Sequence, residues 1–157
     1  MKPTIYIDST VPSYWLPQGD EPILHARHLM TRRWWSDELP RFEPLVSAVV
    51  LDELADGDPQ RAKTRTGLVQ GMPLLEVDLR VEKAAHFYGE QMAMPKKDIR
   101  DAFHLALASV HGIEYLLTWN YAHLANARKR RHIEVLNRRL GLSSPVICSP
   151  EDLILEE

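Results

Sequence analysis

The sequence predicts a three-layer α/β/α sandwich around a central parallel sheet of four to five strands. Short β-branched runs alternate with longer stretches of helical periodicity, which is typical of parallel strands joined by crossover helices. The 157 residues are enough for one domain with its own core. Because no repeat, low-complexity tract or linker divides the chain, we expect a single domain over residues 1–157.

Strands and helices alternate regularly along the chain. Their β-branched and apolar runs predict strands at Thr4–Asp8, Leu45–Ser47, Leu74–Val77, Tyr115–Thr118 and Pro145–Cys148. Helical spacing and terminal Pro or Gly residues predict helices at Glu21–Leu39, Ala48–Ala55, Gln60–Gln70, Leu79–Met92, Asp98–His111 and Tyr121–Leu140, the last in one or two pieces. Since ligands of such sheets bind beyond the carboxyl ends of the strands, functional residues are expected at that edge.

The composition is that of a globular protein in a reducing compartment. Hydrophobic residues make up 45% of the chain and charged residues 26%. The only cysteine, Cys148, excludes an internal disulfide and a cysteine-based zinc site. The N-terminal segment MKPTIYIDST does not resemble a signal peptide, and no apolar run approaches the roughly 20 residues of a membrane span. We therefore expect a cytoplasmic protein without membrane contact.

The charge balance argues against nucleic-acid binding by bulk charge. The formal net charge is -3, so any such contact would need a local basic patch. One candidate is the segment ARKRRH at 127–132, which Arg138 and Arg139 follow. A solvated basic helix is the alternative interpretation.

Asp8 is the first candidate acid, because it ends the first predicted strand in the segment TIYID. Its carboxylate is therefore expected at the carboxyl edge of the sheet. The alternative interpretation is an N-cap for a helix over Ser9–Trp15, which Pro12 near the helix start would suit.

Glu53 is the second candidate, and helical phase distinguishes it from its neighbour Asp52. Val49, Val50 and Leu54 define the apolar face of the predicted helix. At about 100° per residue, Glu53 falls on that face and Asp52 falls outside it. Because an unpaired buried charge is costly, an inward carboxylate needs a partner. The candidates are an arginine and a metal ion.

Two more acids lie in the first turn of the helix predicted from Asp98. Asp98 and Asp101 are three residues apart and share one side of that helix. The helix runs antiparallel to the strands, so its N-terminus also lies at the carboxyl edge. Acids in a first turn can also arise from the helix dipole alone. Beside them runs an apolar stripe of Ile99, Ala102, Phe103, Ala106, Leu107 and Val110.

A metal site is the sharper interpretation of these acids. Asp8, Glu53 and Asp101 are predicted to meet Asn120, which follows the fourth strand, at one edge of the sheet. Several oxygen ligands at one point suit Mg2+ or Mn2+, hard cations that take carboxylates and waters. Without a cation, such a cluster of carboxylates would repel itself.

The chain resembles the PIN domain family, and within it the VapC-like toxin nucleases of type II toxin–antitoxin systems. The matching segments are IYIDSTVPSYW, SAVVLDELADGD and DIRDAFHLALASVHGIEYLLTWN, which cover nearly the whole chain in the family's order. The resemblance implies a PIN-like sandwich and a Mg2+- or Mn2+-dependent endoribonuclease. It also implies a cognate antitoxin as partner and a homodimer as a candidate assembly.

The resemblance also implies roles for individual residues. The family's three principal acids fall on Asp8, Glu53 and Asp101, which would hold the metal. A frequent fourth acid falls on Asn120, which brings no charge and weakens the case for a second metal. Further candidates for orienting water or substrate are Ser9, Thr10, Asp98 and Thr118.

Such a site would hydrolyse single-stranded or structured RNA to products with a 5′-phosphate and a 3′-hydroxyl. Single strands are favoured because their bases can be stacked and read. Candidates for contacts to flanking phosphates are Arg100, Arg128, Lys129, Arg130 and Arg131. Candidates for base stacking are Trp15, Trp119 and Tyr121, with burial in the core as the favoured alternative.

Two pairs of residues have other interpretations. His104 and His111 lie seven residues apart on one predicted helix. They could form a zinc pair or a general base, but a polar-face histidine and a helix-end histidine are the favoured interpretation. The pair Trp34–Trp35 is expected in the core or at a dimer contact.

Other functions remain open at this level. The chain could be a catalytically weak or inactive PIN-fold binding module, or a PIN nuclease in RNA processing outside toxin–antitoxin systems. A phosphatase or phosphotransferase with Asp8 as nucleophile is disfavoured, because DSTVP lacks the second aspartate, two residues on, of haloacid-dehalogenase-like enzymes.

Overall fold

The structure is a computed structural model that describes residues 1–91 and 99–155. Its centre is a five-stranded parallel sheet with the strand order β3-β2-β1-β4-β5. The strands are β1 (Thr4–Ile7), β2 (Glu43–Ser47), β3 (Leu74–Leu75), β4 (Tyr115–Leu117) and β5 (Val146–Cys148). The predicted parallel α/β sandwich is therefore confirmed.

Helices connect the strands and cover the sheet. The α-helices are α1 (Thr10–Trp15), α2 (Pro22–Arg33), α3 (Ala48–Leu54), α4 (Pro59–Val69), α5 (Leu79–Glu90), α6 (Ile99–Val110) and α7 (Ala127–Leu140). Shorter helical turns lie at Trp34–Glu38, Leu39–Arg41, Tyr121–Ala125 and Pro150–Leu153.

The middle strand, β1, lies in the core of the molecule. Ile5, Tyr6 and Ile7 have no exposed surface, because helices cover both faces of the sheet and strands pair with both edges of β1. Asp8 follows directly, and its backbone N–H donates to the carbonyl of Leu117 at 3.2 Å. The end of β1 thus delivers a carboxylate to the carboxyl edge of the sheet, as predicted.

Differences from the predicted elements occur mainly at their ends. The predicted helix Glu21–Leu39 is regular only to Arg33. A π-turn follows at Trp34–Glu38, and then a 3-10 turn at Leu39–Arg41 that contains Pro40, which lacks a backbone donor. The helical region at 121–140 is broken at Asn126, whose side chain accepts the N–H of Lys129 at 2.9 Å and caps α7. The predicted ends at Met92 and Asp98 lie outside the described residues.

Helix α6 is more deeply buried than its predicted apolar stripe implies. It packs against α3, α5 and β4 at once, so residues beyond the stripe are also enclosed, among them His104 and Ser109. The favoured interpretation of His104 as a polar-face histidine is therefore wrong. The hydrophobic pattern identified one side of the helix, but neighbours on several sides cover it.

A buried polar network links α5, α6 and α7. Asn137 has no exposed surface, and its amide oxygen accepts from the hydroxyl of Tyr88 at 2.5 Å. Its amide nitrogen donates to the hydroxyls of Ser109 and Ser144, each at 3.1 Å. All the hydrogen-bonding groups of this buried amide are thus satisfied, as the interior requires.

Candidate active site

Asp8 is held in place by two threonines. Its Oδ1 accepts from the backbone N–H of Thr10 at 3.0 Å and from the Thr10 hydroxyl at 2.5 Å, and its Oδ2 accepts from the Thr118 hydroxyl at 2.5 Å. Only 2% of Asp8 is exposed. The bond to the Thr10 N–H at the start of α1 realises part of the capping role considered for Asp8, and Thr118 orients its carboxylate.

Glu53 points inward from α3, and Asp52 is exposed, as the helical phase predicts. The partner of Glu53 is His104 of α6, whose Nε2 lies 2.5 Å from Oε1 of the glutamate. The sequence pattern suggested an arginine or a metal, and in the structure the side chain that contacts Glu53 is a histidine. A buried imidazole from a helix packed against α3 satisfies the same electrostatic need.

The other side of His104 is anchored in the core. Its Nδ1 lies 2.7 Å from the hydroxyl of Tyr6, which in turn lies 2.8 Å from the hydroxyl of Ser47. Ser47 also accepts the N–H of Val50 and caps α3, the helix that carries Glu53. Glu53 is therefore held both through its histidine and through the cap of its own helix.

His104 is the charge centre around which the three acids are arranged. Burial lowers the pKa of His104, but the hydrogen bond to Glu53 and the negative charges of Asp8, Glu53 and Asp101 outweigh it and raise the pKa above its usual value. All three acids therefore act on one imidazole. A protonated His104 donates to Glu53 and to Tyr6, and its charge offsets part of the repulsion among the carboxylates.

Burial also dominates the electrostatics of Asp8. Burial raises the pKa of the Asp8 carboxyl, and the negative charge of Glu53 raises that pKa further. The charge of His104 and the hydrogen bonds from Thr10 and Thr118 lower the pKa, but burial is the largest effect and the pKa stays above its ordinary value. A buried acid of this kind favours any additional positive charge that reaches it.

Asp101 lies in the first turn of α6 and is held by two residues that follow β4. Its Oδ2 accepts from the amide of Asn120 at 3.1 Å and lies 2.8 Å from Nδ1 of His123. The amide oxygen of Asn120 accepts the backbone N–H of His123 at 3.0 Å. Asn120 thus positions Asp101 and caps the turn at Tyr121–Ala125.

Among the remaining predicted polar residues, the structure describes Ser9 and Arg100. Ser9 precedes α1 and makes no side-chain cap, and Asp98 lies outside the described residues. Arg100 forms an exposed ion pair with Asp56 at 3.3 Å. The structure therefore gives Arg100 an acidic partner of its own.

The predicted basic patch borders a cavity of about 700 Å3 between α7 and β5. Arg128, Arg130 and Arg131 line this cavity, and Arg130 donates to the backbone carbonyl of Ile147 at 3.2 Å. Arg128 and Arg131 are exposed, whereas Lys129 and Arg130 are half-buried. The basic segment is thus partly a solvated helix face and partly the lining of a concave surface.

The aromatic candidates for base stacking separate by exposure. Trp119 is 3% exposed, and its indole N–H donates to Thr31 at 2.8 Å, so it belongs to the core. Trp15 is covered by the guanidinium of Arg32, 3.7 Å from the ring centre. Tyr121 retains 36% of its surface.

The other predicted pairs have separate structural roles. Trp34 is fully buried against Trp35 and Phe42, which confirms the core interpretation for Trp34. His111 lies just beyond α6, with Nε2 2.8 Å from the carbonyl oxygen of Glu76. His111 and His104 therefore have different partners.

Within residues 1–91 and 99–155, no group of three or more His, Cys, Asp or Glu side chains is arranged so as to hold a metal ion. The donors still suit a hard cation. Asp8 is buried, and in the described chain its hydrogen-bond donors, Thr10 and Thr118, are uncharged. Asp101 is 18% exposed at its side chain, and Glu53 is 20% exposed. Carboxylate oxygens of this kind are the ligands that Mg2+ or Mn2+ takes.

The residues that the sequence pattern did not single out are mostly partners of the acids. Tyr6 contacts His104, Ser47 contacts Tyr6, and His123 contacts Asp101, each through side chains from distant segments. A weak signal existed for Tyr6, since a tyrosine in a fully buried strand needs a partner for its hydroxyl. No local pattern distinguishes His123 from a surface histidine.

No protein-family model matches the sequence, and no curated protein matches it significantly. Among the helices described, none has the length and apolar character needed to cross a membrane. A solved structure with a similar fold is that of VapC20 from Mycobacterium tuberculosis, described as a sarcin-ricin loop cleaving toxin. The two chains are 20% identical and superpose with a TM-score of 0.55, over 76% of this chain and 92% of VapC20. The chain therefore has the fold of a VapC toxin, and its resemblance to PIN domains is confirmed at the level of the fold.

Proposed function

We propose that this chain is an endoribonuclease that hydrolyses phosphodiester bonds of RNA with Mg2+ or Mn2+ held by Asp8, Glu53 and Asp101. The observation that carries the proposal is the convergence of the three acids at the carboxyl edge of the sheet: Asp8 follows β1, Asp101 lies in the first turn of α6, and Glu53 contacts His104 of the same helix. They come from three separate segments of a chain with the VapC fold. Carboxylates collected in this way suit phosphodiester hydrolysis assisted by a divalent cation.

Asp8 and Asp101 are proposed as the principal ligands, with Glu53 completing the set. When bound, the cation would lower the pKa of a water molecule and offset negative charge on the phosphate. The protein's own contribution is to fix the donors: Thr10 and Thr118 hold Asp8, and His104 holds Glu53.

Asp101 is the best placed acid to accept a proton from the attacking water. Its side chain is more exposed than that of Asp8, and Asn120 and His123 both contact one of its two oxygens. The water oxygen would bond to phosphorus while the bond from phosphorus to the 3′-oxygen breaks and that oxygen takes up a proton. The products would carry a 5′-phosphate and a 3′-hydroxyl.

The basic groups are proposed to bind the flanking RNA backbone. Arg128 and Arg131 are exposed at the cavity beside β5, where they would contact phosphates without reading sequence. Arg100 would have to exchange its ion pair with Asp56 for a phosphate. Such an exchange costs little, because exposed ion pairs contribute only about 0–1 kcal/mol.

The first test is RNA cleavage by the parent protein with Mg2+, with Mn2+, and with a chelator, beside the Asp8→Asn and Glu53→Gln variants. We expect cation-dependent cleavage by the parent and a loss of at least about 100-fold in each variant, the lower bound for groups that act in the chemical step. The matched control is Asp52→Asn, which alters the exposed neighbour of Glu53 and should retain parent activity.

Two results would count against the proposal. Full activity of Asp8→Asn, in a variant whose circular dichroism and thermal unfolding match the parent, would remove the acids from the mechanism. Unchanged cleavage after complete chelation would remove the cation.

The VapC fold also supports a role as the toxin of a type II toxin–antitoxin pair. In that role a cognate antitoxin would bind the chain and suppress cleavage. Expression of this chain alone should then arrest growth, and co-expression of a small protein encoded directly upstream of its gene should relieve the arrest. Growth arrest by Asp8→Asn equal to that by the parent would separate toxicity from RNA cleavage.

A further inference from the structure

An arginine lies among three aromatic rings beside the acids. The guanidinium carbon of Arg27, in α2, lies 5.7 Å from the ring centre of Tyr14 and 5.5 Å from those of Trp119 and Tyr121. Arg27 Nη1 donates to the Tyr14 hydroxyl at 3.3 Å. We refer to these four residues as the arginine–aromatic cluster.

The charge of Arg27 has no acidic partner within the described parts of the chain. Arg27 is half-buried, so its guanidinium has lost part of its surrounding water. A contact between a cation and an aromatic ring face contributes about 0.5–2 kcal/mol, which offsets part of that loss. A partly desolvated guanidinium without a carboxylate is a ready site for an oxyanion such as phosphate, whose oxygens can accept from its N–H groups.

The aromatic rings of the cluster are unequally exposed. Trp119 is buried, and its edge packs against Tyr14 with ring centres 6.0 Å apart. Tyr121 packs against Trp119 at 6.4 Å but keeps 36% of its surface exposed. Tyr14 is half-buried, so Tyr121 is the most exposed ring of the cluster and the one that a ligand reaches most readily.

The cluster adjoins two of the three acids. The backbone N–H of Trp119 donates at 2.9 Å to the hydroxyl of Thr10, which itself donates to Asp8. Tyr121 directly follows Asn120, whose amide donates to Asp101. A ligand bound to the cluster would therefore lie next to the site proposed for phosphodiester hydrolysis.

We infer that the arginine–aromatic cluster binds one nucleotide of a single-stranded RNA next to the scissile phosphate, with Arg27 on its phosphate and Tyr121 stacked on its base. This inference rests on the proposed function and names a substrate subsite for it. A cation beside an accessible ring is the combination by which proteins bind single strands without reading their sequence. A paired base cannot offer its face to Tyr121, so the subsite predicts a preference for unpaired RNA.

The test measures binding of a short fluorescent single-stranded RNA to the full chain carrying Asp8→Asn, which should not cut it. In that background, Arg27→Met should reduce the slope of log affinity against log salt by about 0.7, the contribution of one phosphate contact on a single strand. Arg27→Lys is the matched control and should keep the slope, since it retains the charge.

Tyr121 is tested through the base that it is inferred to stack on. Tyr121→Ala should weaken binding by about 5- to 150-fold, and Tyr121→Phe should bind as the parent does. When the same RNA carries an abasic site at successive positions, one position should abolish the difference between Tyr121→Ala and Tyr121→Phe. Thermal unfolding of each variant shows whether the fold is intact, and the Lys and Phe variants keep the test valid if Met or Ala unfolds the chain.

The outcomes separate this inference from the proposed function. If the parent cuts RNA while Arg27→Met keeps the salt slope and Tyr121→Ala keeps the affinity, the subsite is wrong and the nuclease stands. If the parent cuts no RNA but both changes occur as expected, the cluster is an RNA contact and the nuclease is wrong. Equal effects of these variants on duplex and single-stranded RNA would overturn stacking on an unpaired base.

Discussion

Asn120 stands at the position where the resemblance implies a fourth acid, and its contacts show what the amide does there. Its nitrogen donates to Asp101, and its oxygen caps the turn that follows β4. Both ends of the amide are thus used by the protein itself. An amide serves here because it can donate to one carboxylate without adding a second negative charge.

Asn120→Asp therefore tests whether a cation belongs beside Asp101. Without divalent ions, the new carboxylate would face that of Asp101, and we expect the free energy of unfolding to fall by about 1–3 kcal/mol as a charge-assisted bond is replaced by repulsion. Added Mn2+ should restore most of that loss, because the ion would bind between the two acids. Thermal unfolding with and without Mn2+ measures both effects.

The control for this experiment is Asp52→Asn, which changes an exposed acid away from the cluster. It should show no stabilisation by Mn2+ beyond that of the parent. A variant at Asn120 that loses stability and does not regain it with either Mn2+ or Mg2+ would place the cation elsewhere.

At the scale of elements, α6 carries both Asp101 and His104 and so connects two of the three acids through one rigid helix. The imidazole lies one turn from Asp101 and contacts the glutamate of α3 and the tyrosine of β1. The side chain of His104 thus forms hydrogen bonds from α6 to both β1 and α3. Loss of that side chain should affect both the fold and the orientation of Glu53.

We expect His104→Ala to lower the free energy of unfolding by about 1–3 kcal/mol, because it leaves the Glu53 carboxylate without its partner and the Tyr6 hydroxyl with Ser47 alone. RNA cleavage should fall as well. His111→Ala is the matched control, since it removes one hydrogen bond from a partly exposed residue at the end of the same helix. His111→Ala should lower the free energy of unfolding by no more than about 0.5–1.5 kcal/mol. Equal losses in chemical denaturation of the two variants would contradict a special role for His104.

At the scale of the whole molecule, two buried acidic groups couple stability to alkaline pH. Burial raises the pKa of Tyr88 to about 12 and that of Cys148 to about 12. The unfolded chain releases these protons at lower pH than the native protein. The free energy of unfolding should therefore fall as the pH rises from about 9 towards 12, and stay unaffected by these groups below that range.

Tyr88→Phe should make this decline shallower by about 1.4 kcal/mol per pH unit between the ordinary pKa of tyrosine and about 12. Cys148→Ala should do the same from about pH 9 upward. Urea denaturation of the parent and both variants at several alkaline pH values gives the slopes. Parallel slopes for parent and variants would show that these side chains titrate alike in the native and unfolded states. At neutral pH, Tyr88→Phe should still lower the free energy of unfolding by about 1–3 kcal/mol, because the amide oxygen of Asn137 loses the hydroxyl that donates to it.

Much of the fold and part of the site followed from local pattern. The run TIYI predicted a buried strand, and the position of Asp8 after it placed a carboxylate at the carboxyl edge of a parallel sheet. Helical phase separated Glu53 from Asp52. These inferences succeed because the helical phase of a residue, and its position directly after a strand, depend only on residues close to it in the sequence.

The partners of the acids were decided only by the tertiary structure. His104 and Glu53 are 51 residues apart, and Thr118 and Asp8 are 110 apart. The spacing of apolar residues on α6 suggested a polar face for His104, because a single helix carries no record of what packs on its other sides. The sequence by itself thus determined which acids reach the carboxyl edge. The packing of α3, α6 and β1 decided that a buried histidine contacts Glu53 and Tyr6, because contacts between distant segments form only when the chain has closed around its core.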